Sequence, residues 1–356
     1  MSALFDMPKE EPPGRNVIPV YQRLVSFYRD AILEHRLNPG DTVDSITQIQ
    51  RKHLVSRETA KRVLNILEEQ GYIVQRAGKG SFVADLRPKQ KIWGIIVPFF
   101  SVQYEDLLLR LMRLASSTGR ELRRYFDYNN WEEEIRLVAM MQRERYEAVV
   151  VIPTLDESRA WNFYSRLSPQ DSHVVLFDHT MTYRDFNFVV QSYDLGVVRA
   201  MDYLLERKPG GVVFIDNEGW TGRNMVLELM KETYMMVLRR KRPEAEPLIL
   251  ERASMVSADE LRRQGITGIF CCDDVSAVQA AGRLREQGVT IPEEMNLVSY
   301  GNTDLARFFT PALTSVDPHN EEMADRLIRL LVSLTEDNER QLEQYVVQPD
   351  LVVRET

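Results

Sequence analysis

The segment RKHLVSRETAKRVLNILEEQGYIVQRAGKGSFV, residues 51–83, decides the fold of the first part of this chain. It contains the end of a short helix, a tight turn, a helix that opens on Ser56-Arg57, and two short strands. The strands are joined by residues 75–80, which end in Gly-Lys-Gly. This order predicts a winged helix-turn-helix, in which one helix enters a DNA major groove and the strand loop lies on the adjacent backbone.

The residues before this segment complete a small helical domain. Apolar residues recur at helical spacing from Tyr21 to Leu33, and Pro39-Gly40 stops that helix. Ser45, with Gln48 three residues later, predicts a capping box that opens a helix running to about residue 53. We therefore expect one DNA-binding domain over residues 17–84.

The second helix of the motif is suited to DNA contact because its first backbone N–H groups are free to bind phosphate. Arg57 projects from that first turn, where a guanidinium can bind guanine through two hydrogen bonds. Lys79 lies between two glycines, which allow the backbone to approach the sugar-phosphate closely. Each basic residue taken alone also fits a solvated helix face. The candidate DNA-contacting residues are Ser45, Ser56, Arg57, Thr59, Lys61, Arg62, Gly78, Lys79 and Gly80.

These residues resemble the GntR-type winged helix-turn-helix from end to end of residues 17–84. The resemblance rests on residues 55–64 (VSRETAKRVL), 67–74 (LEEQGYIV) and 78–83 (GKGSFV). It implies that Ser56, Arg57, Thr59 and Lys61 occupy the recognition-helix contact positions and that Gly78 and Gly80 are the wing glycines. One departure is Thr47, which stands where an arginine often contacts DNA, so we expect an altered contact there.

The charge of the chain is divided unevenly between its two parts. The formal net charge is −8, but residues 1–91 hold 15 Lys and Arg against 11 Asp and Glu. Residues 92–356 hold the remaining 30 basic and 42 acidic residues, which gives −12. The basic excess of four lies on the part that carries the helix-turn-helix, as phosphate contact requires.

Composition limits the other classes of protein. Residues 1–16 are acidic and Pro-rich, which predicts a disordered tail, and residues 85–91 predict a linker. No signal-peptide pattern and no run of 18 apolar residues occurs, so we expect a cytoplasmic protein without a membrane span. The adjacent Cys271 and Cys272 lie in an apolar run and predict two buried thiols. A metal site there with Asp273 and Asp274 lacks correctly spaced partners, so no metal and no cofactor is expected.

The remaining 265 residues alternate short apolar runs with amphipathic helical patterns. Continuous Val- and Ile-rich runs between helices predict an α/β fold of doubly wound parallel sheets. In such folds the ligand lies beyond the carboxyl ends of the strands. The predicted strands are 92–98, 148–153, 174–178, 211–216, 268–272 and 296–300, and the predicted helices lie near 105–118, 131–145, 195–207, 220–240, 275–287 and 320–335.

Polar residues follow several of these strands, and their convergence predicts a small-molecule cleft. The sequence contains no P-loop, no Gly-x-Gly-x-x-Gly after a strand, no Gly-x-Ser-x-Gly and no His-Glu-x-x-His. Carboxylates at strand ends can serve acid–base catalysis, but sugar binding uses the same groups. We therefore expect a binding protein rather than an enzyme.

Residues 265–356 resemble the effector-binding region of LacI/GalR-type regulators, and residues 92–265 do so more weakly. The resemblance rests on residues 273–317 together with 321–323 and 347–356. It implies a two-lobed, periplasmic-binding-protein-like domain over residues 92–356, joined to the GntR-type domain in a known hybrid arrangement. The effector-binding residues that it implies are Tyr104, Asp178, Trp220, Arg223, Asp273, Asp274 and Asn302.

Each of these effector candidates also has a structural interpretation. Asp274 could equally cap its helix, Tyr104 and Trp220 could belong to the core, and Arg223 could form only an ion pair. The family's Gly-Phe/Tyr-Asp-Asp pattern appears here as residues 299–302 (SYGN), so Gly301 replaces the usual sugar-binding carboxylate. This departure leaves the identity of the effector open.

The sequence therefore predicts a transcriptional regulator that binds a palindromic DNA operator as a homodimer. The resemblance implies a repressor of carbohydrate-metabolism genes that a sugar effector releases from DNA. An alternative is a regulator whose sensor has lost small-molecule binding and responds to a protein partner. The helical face with Leu107, Leu108, Leu111 and Met112 could form the dimer interface or belong to the core.

Overall fold

The chain divides into two compact units between Pro88 and Lys89. They are called the N-terminal and C-terminal units below. The computed structural model describes residues 19–34, 36–76, 78–84, 90–99, 102–154, 163–164, 173–179, 186–217, 224–336 and 342–356. The predicted tail at 1–16, most of the predicted linker at 85–91, Trp220 and Arg223 lie outside these residues.

The described residues of the N-terminal unit form three helices and a three-stranded antiparallel sheet. Strand β3 pairs with both β1 and β2, so the order in the sheet is β1-β3-β2. The elements in chain order are α1 (Val20–Leu33), β1 (Thr42–Val43), α2 (Ile46–His53), α3 (Arg57–Glu69), β2 (Ile73–Arg76) and β3 (Gly80–Val83).

Helix α3 has a defined beginning, core face and end. The Ser56 hydroxyl accepts a hydrogen bond from the Thr59 N–H at 3.1 Å, which satisfies one free donor of the first turn. Ala60, Val63, Leu64 and Leu67 are buried at the spacing of one helix face. After the helix, Gly71 adopts a φ of +75°, and Tyr72 N–H donates to the Leu67 carbonyl at 2.9 Å. This is a Schellman ending, which favours glycine because of the positive φ.

The turn between α2 and α3 has an unusual residue. Leu54 adopts a φ of +52°, and 92% of its surface is exposed. A β-carbon in this left-handed region costs about 1–2 kcal/mol relative to the right-handed region. The turn therefore holds an exposed leucine in a conformation that glycine or asparagine would adopt more easily.

The C-terminal unit consists of two lobes, each built on a six-stranded sheet. In the first, called lobe 1, the strand order is β14-β8-β7-β6-β4-β5 and every pair is parallel. The strands of lobe 1 are β4 (Gln90–Val97), β5 (Glu121–Phe126), β6 (Tyr146–Val151), β7 (His173–Asp178), β8 (Asn187–Gln191) and β14 (Gln344–Val347).

In the second, called lobe 2, the strand order is β10-β9-β11-β12-β13-β15. Its pairs are parallel except the last, because β15 runs antiparallel to β13. This sheet is mixed, whereas the sequence predicts parallel sheets. The strands of lobe 2 are β9 (Gly211–Ile215), β10 (Leu248–Leu250), β11 (Ile266–Cys271), β12 (Asn296–Tyr300), β13 (Thr314–Asp317) and β15 (Asp350–Val352).

Helices cover both sheets, and buried apolar side chains fill the space between them. No helix of the described residues is long and apolar enough to cross a membrane. The helices are α4 (Val102–Ser117), α5 (Trp131–Arg143), α6 (Tyr193–Arg207), α7 (Met225–Lys241), α8 (Ala258–Arg263), α9 (Asp274–Glu286), α10 (Asp304–Phe308) and α11 (Asn320–Glu336), with a 3-10 turn at Ala253–Met255.

The chain crosses between the two lobes three times. It leaves β8 of lobe 1 for α6, which packs in the core of lobe 2. It returns from β13 to α11, whose apolar face lies in the core of lobe 1. It crosses again between β14 and β15, which pair in different sheets. Each lobe is therefore assembled from separate segments of the chain.

Candidate functional site

In the N-terminal unit, two of the predicted DNA-contacting residues, Ser45 and Ser56, form helix caps. Ser45 and Gln48 form the capping box of α2, with Ser45 N–H donating to the Gln48 side chain at 2.7 Å. Ser56 caps α3, and its hydroxyl lies 2.9 Å from the hydroxyl of Thr59. These side chains fix the starts of α2 and α3 and leave the exposed first turn of α3 available to a phosphate.

The basic side chains on α3 have different surroundings. Arg57 and Lys61 are exposed, four residues apart on one helix face, and no ion pair involves either within the part of the chain that the structure describes. Arg62 lies over the ring of Tyr21, with 3.9 Å between the guanidinium carbon and the ring centroid. This cation–π contact holds Arg62 against α1. Arg57 and Lys61 are thus the freer cations for contact with DNA.

The loop between β2 and β3 has the backbone geometry expected of a tight turn. Gly78 and Gly80 adopt φ values of +70° and +104°, and an added β-carbon at either would meet open space. Lys79 N–H donates to the Arg76 carbonyl at 2.9 Å, which closes the turn. Residues 78–80 are exposed, so Lys79 is presented to solvent at the tip.

In the C-terminal unit, Asp178 is the centre of a buried hydrogen-bond network. It ends β7 with only 2% of its surface exposed. It accepts hydrogen bonds from the hydroxyls of Tyr104 at 2.9 Å and Tyr193 at 2.9 and 3.0 Å, and from Gln191 Nε2 at 2.7 Å. Burial raises the pKa of Asp178, but the bond and charge of His179 and the bonds from Gln191 and Tyr104 outweigh it and lower the pKa below its ordinary value.

The network places two predicted effector residues together but leaves little of them exposed. Tyr104 is 8% exposed, and its ring lies 5.9 Å from that of Phe99 among the apolar residues of lobe 1. For Tyr104 the structure therefore favours the core interpretation. The pKa of its hydroxyl is raised, first by burial and then by the Asp178 carboxylate.

The same network continues into lobe 2. Gln191 lies at the end of β8, and its Oε1 accepts a hydrogen bond of 2.7 Å from the Tyr300 hydroxyl of β12. The rings of Tyr193 and Tyr300 are stacked with 5.5 Å between centroids and 20° between planes. Asp178, Gln191 and Tyr300 thus form a chain of hydrogen bonds from one lobe to the other. Gln191, Tyr193 and Tyr300 were not predicted from the sequence, in which polar residues at the ends of apolar runs were the available signal.

Asp273 and Asp274 have different structural roles. Asp273, and not Asp274, caps α9, because its Oδ1 accepts a hydrogen bond of 2.6 Å from Ser276 N–H. Its other oxygen accepts from Asn217 Nδ2, which follows β9. Asp274 is 2% exposed and accepts from the hydroxyls of Ser299, Ser315 and Thr303 and from the Thr303 N–H, at 2.5–2.8 Å. Burial raises its pKa, against the effect of these bonds.

Asn302 belongs to the same hydrogen-bond network as Asp274. Its N–H donates to the Ser315 hydroxyl at 3.0 Å, and its Nδ2 donates to Asp317 Oδ2 at 2.8 Å. Arg354 donates to its side-chain oxygen at 2.5 Å. Asp274 and Asn302 are therefore joined through Ser315, and hydrogen bonds within lobe 2 already engage both side chains.

The backbone of Gly301 explains why no acidic side chain occupies this position. Its φ is +126°, a conformation that L residues rarely adopt. A β-carbon there would lie 3.2 Å from Asp274 Oδ2. An aspartate at position 301 would thus combine backbone strain with a second negative charge beside a buried carboxylate.

A second pair of buried acidic residues, not predicted from the sequence, lies in lobe 1. Asp127 follows β5 and Glu134 lies in the first turn of α5, and both are 0% exposed. Glu134 accepts hydrogen bonds from the Tyr164 hydroxyl at 2.7 Å and from Thr154 N–H at 2.5 Å. Mainly because of burial, the pKa of Glu134 is raised to about 8 and that of Asp127 to about 6.

A large open groove of about 1750 Å³ lies along α4, α11 and residues 301–307. Its walls carry charges of both signs, including Arg110 paired with Glu321 and Asp325 at 3.5 and 3.1 Å. Asn302 is the one predicted effector residue on its wall. Gly301 and Asp317 on its wall lie at the carboxyl ends of β12 and β13, the ends at which open α/β sheets bind ligands, whereas Glu121 on the same wall begins β5.

The two adjacent cysteines are both buried, as the apolar run predicts. Cys271 and Cys272 are buried, they lie in different apolar clusters, and burial raises the pKa of both. Within the described part of the chain, no group of three or more His, Cys, Asp or Glu residues could hold a metal ion.

Comparisons with known proteins agree with this architecture. Residues 224–356 match the family described as "Periplasmic binding protein-like domain". The chain is 22% identical over 353 residues to the "Arabinose metabolism transcriptional repressor" of Halalkalibacterium halodurans, an alignment that covers 92% of this chain and 93% of that protein.

Two solved structures share the fold of the C-terminal unit. A periplasmic binding protein/LacI transcriptional regulator from Alkaliphilus metalliredigens QYMF, complexed with D-xylulofuranose, covers 75% of this chain and 99% of its own, with a TM-score of 0.61 and 20% identity. The transcriptional regulator CelR in complex with cellobiose covers 86% of this chain and 93% of its own, with a TM-score of 0.62 and 18% identity.

The two-lobed unit has a periplasmic-binding-protein-like fold of mixed α/β structure, and residues 224–356 match that domain family. The two arabinose metabolism repressors among the curated relatives and the CcpA-like structural neighbour are transcriptional regulators. The predicted periplasmic-binding-protein-like fold is thereby confirmed, and the prediction of a regulator rather than an enzyme agrees with the names of these relatives.

Proposed function

We propose that this chain is a DNA-binding repressor of carbohydrate-metabolism genes that a sugar effector releases from its operator. The observation that carries the proposal is the similarity to an arabinose metabolism repressor along almost the whole chain, including both units. A repressor acts where its DNA is, so we place the protein in the cytoplasm.

We infer that the N-terminal unit is a GntR-type winged helix-turn-helix. The matched family covers only residues 224–356, so this inference rests on the unit itself. Its support is the succession of α2, α3 and the β2–β3 hairpin, with the exposed Lys79 between two glycines of positive φ. In this interpretation α3 enters the major groove, Arg57 reads a guanine, and Lys79 contacts the backbone.

Effector binding is proposed at the carboxyl ends of the strands in the two lobes. The Asp178–Gln191–Tyr300 chain joins the lobes at this level, so a ligand that favours one lobe arrangement would shift the equilibrium between arrangements. The ligand alters DNA affinity only if its affinity for the two arrangements differs. We propose that the sugar-bound arrangement has the lower DNA affinity.

A protein partner in place of a sugar is the second candidate function. It is favoured by Gly301, whose backbone excludes the carboxylate usual in the family, and by the charged groove along α4 and α11. Such a regulator would bind none of the sugars, and its DNA affinity would change only in the presence of the partner.

The test measures the affinity of the full-length protein for the DNA upstream of its own gene by fluorescence anisotropy. L-arabinose, D-xylulose and cellobiose are then added separately. We expect specific binding that competitor DNA does not displace, and a loss of affinity with one of the sugars. Binding that no sugar changes would favour the protein-partner alternative, and the absence of specific binding would contradict both.

A further inference from the structure

Leu54 lies in the turn between α2 and α3, and the turn holds its side chain out to solvent. Among the described residues it has the largest exposed fraction of the large apolar side chains, 92%. The residues on either side pack inward. The His53 ring contacts Phe27 edge-on, with 5.6 Å between centroids, and Val55 packs against the core of the N-terminal unit. The outward direction of Leu54 is therefore set by its neighbours.

The conformation of Leu54 costs stability that another residue would recover. Its φ of +52° and ψ of +43° are left-handed, a region that glycine and asparagine adopt more readily than leucine. A side chain that lies almost wholly in solvent gives the fold little packing in return. Backbone strain of this kind is found where a residue serves a function, so we expect a contact outside the unit.

The position of Leu54 indicates which molecule it contacts. It stands three residues before Arg57, the first residue of α3, so at most about 11 Å of chain separates the two. Helix α3 is the one that we propose to enter the major groove. Residues 51–57 also contain three Lys and Arg and no Asp or Glu. Because such a segment attracts a polyanion, position and charge both favour DNA.

We propose that Leu54 makes an apolar contact with the operator beside the bases that α3 reads. Two apolar surfaces of DNA suit a leucine: the C5-methyl group of thymine in the major groove, and the carbon atoms of deoxyribose at its edge. A contact with thymine would favour one base at one position, whereas a contact with deoxyribose would add affinity for any sequence. This inference rests on the proposed function as a DNA-binding regulator.

Substitutions at position 54 separate the contact with DNA from the stability of the fold. Leu54→Asn keeps a side chain of similar length, tolerates the left-handed backbone and replaces the apolar end with an amide. Leu54→Met keeps both an apolar side chain and the strain. Leu33→Asn is the matched control, because Leu33 is also exposed, at 52%, but is the last residue of α1 and not a neighbour of α3 in the chain.

The experiment measures, by fluorescence anisotropy, the affinity of the full-length wild type and the three variants for the DNA upstream of the protein's own gene. We expect the Kd to rise about fivefold or more in Leu54→Asn, because an amide loses the apolar contact, and to change about twofold or less in the other two. The slope of log affinity against log salt concentration should stay the same, since no phosphate contact is lost.

The stability of Leu54→Asn should change in the opposite direction from its DNA affinity. Because the strain is relieved, its thermal unfolding midpoint should be at or above that of the wild type. If the midpoint is lower instead, Leu54→Gly takes its place in the titration, since glycine removes the strain and the apolar side chain together. The same rise in Kd is expected for that variant.

Deoxyuridine in place of thymidine removes the C5-methyl groups of the operator and distinguishes the two DNA surfaces. If Leu54 contacts a thymine methyl group, this replacement should weaken binding by the wild type more than binding by Leu54→Asn. An equal loss in both proteins, with the lower affinity of Leu54→Asn retained, would assign the contact to deoxyribose.

The outcomes distinguish this inference from the proposed function. An unchanged Kd in Leu54→Asn would overturn the contact with DNA and leave the DNA-binding regulator intact. A lower molar mass of that variant by light scattering would also overturn it, because Leu54 would then contact a second copy of the chain. If the wild type shows no specific binding to the operator, the proposed function fails and the inference fails with it.

Discussion

At the scale of single residues, the same side chain often serves the fold rather than the ligand. Asp274 and Asn302 were predicted to bind the effector, yet hydrogen bonds inside lobe 2 engage both side chains. Asp178 is likewise surrounded by donors of its own chain. A sequence resemblance can place a residue in the fold. Whether its side chain can bind a ligand depends on the hydrogen bonds that its neighbours already make to it.

Arg57 tests the assignment of α3 as the recognition helix. We expect Arg57→Ala to weaken binding to the preferred operator by about 1–3 kcal/mol and to relax base preference at one position, because a two-bond contact to guanine is lost.

Lys79→Ala should weaken binding to all DNA sequences similarly. It should also reduce the slope of log affinity against log salt concentration by about one. Anisotropy titrations over a range of salt concentrations measure both effects.

Arg29→Ala is the control for these two variants, since Arg29 on α1 already pairs with Asp30 at 3.1 Å. Its DNA affinity should stay close to that of the wild type. Equal losses in Arg29→Ala and Arg57→Ala would indicate a general charge effect and would contradict the assignment of α3.

The raised pKa of Glu134 predicts how the free energy of unfolding depends on pH. Its pKa is raised to about 8 in the folded protein, whereas an unfolded glutamate titrates near its ordinary value of 4.5. Between these values the folded state binds a proton that the unfolded state does not, so the free energy of unfolding falls as pH rises. Thermal unfolding from pH 5 to pH 8.5 should show this decline, and Glu134→Gln should make it shallower. An equally steep decline in that variant would show that other groups cause it.

At the scale of secondary-structure elements, the contact between α6 and β12 is unusually close. Gly196 of α6 lies against Tyr300, and an added β-carbon would be 2.6 Å from the ring. We expect Gly196→Ala to destabilise the protein by roughly 1–3 kcal/mol, because the ring must move and its bond to Gln191 is disturbed. Chemical denaturation measures the change.

Gly282→Ala is a matched control within a helix of the same lobe. An added β-carbon at Gly282 of α9 meets nothing within 4 Å, so the gain in helix propensity of about 1 kcal/mol should appear undiminished. If both alanine variants were stabilised alike, the contact between α6 and Tyr300 would not be as tight as it is described.

The elements that the sequence predicted were those with a single clear pattern. Helix α2 begins at Ile46 and α3 at Arg57, as their Ser caps indicate, and the apolar runs became β4, β6, β7, β9, β11 and β12. Strand β5 was missed because three of the six residues of its sequence, ELRRYF, are charged and, at this sheet edge, only Leu122 is buried. Strands β10 and β15 have three residues each, too few for a periodic pattern.

The candidate site was harder to predict than the fold. Asp178 and Asp273 could be placed at strand ends because apolar runs precede them. The hydrogen bond between Gln191 and Tyr300 could not be predicted, because 109 positions separate the two residues and they meet only after the two lobes are assembled. Whether a side chain is a donor to another residue or is free for a ligand depends on such distant partners.

At the scale of the whole molecule, the homodimer predicted from the sequence needs an exposed face. Leu107, Leu108 and Leu111 of α4 are buried in the core of lobe 1, so of the predicted interface residues only Met112, at 42% exposed, is available. Leu109 is 49% exposed and lies three residues before it, on the same side of the helix. These two side chains form the part of α4 that we propose to contact a second copy.

Replacing both Leu109 and Met112 with lysine should convert the dimer to a monomer, because four charges would face each other across the two-fold axis. Light scattering after size-exclusion chromatography measures the mass. The same replacements at Leu229 and Met236 of α7, which are 42% and 59% exposed, are the control and should leave the dimer intact. A monomer only in the control would place the interface on α7.

The three crossings between the lobes have a consequence for synthesis on the ribosome. Lobe 1 needs β14 and lobe 2 needs β15 to complete its sheet, and both strands lie within residues 344–352. The two sheets are therefore completed together, because this one short segment supplies an edge strand to each of them. A nascent chain that stalls before this segment would expose two open sheet edges at once, the kind of surface that chaperones must shield from aggregation.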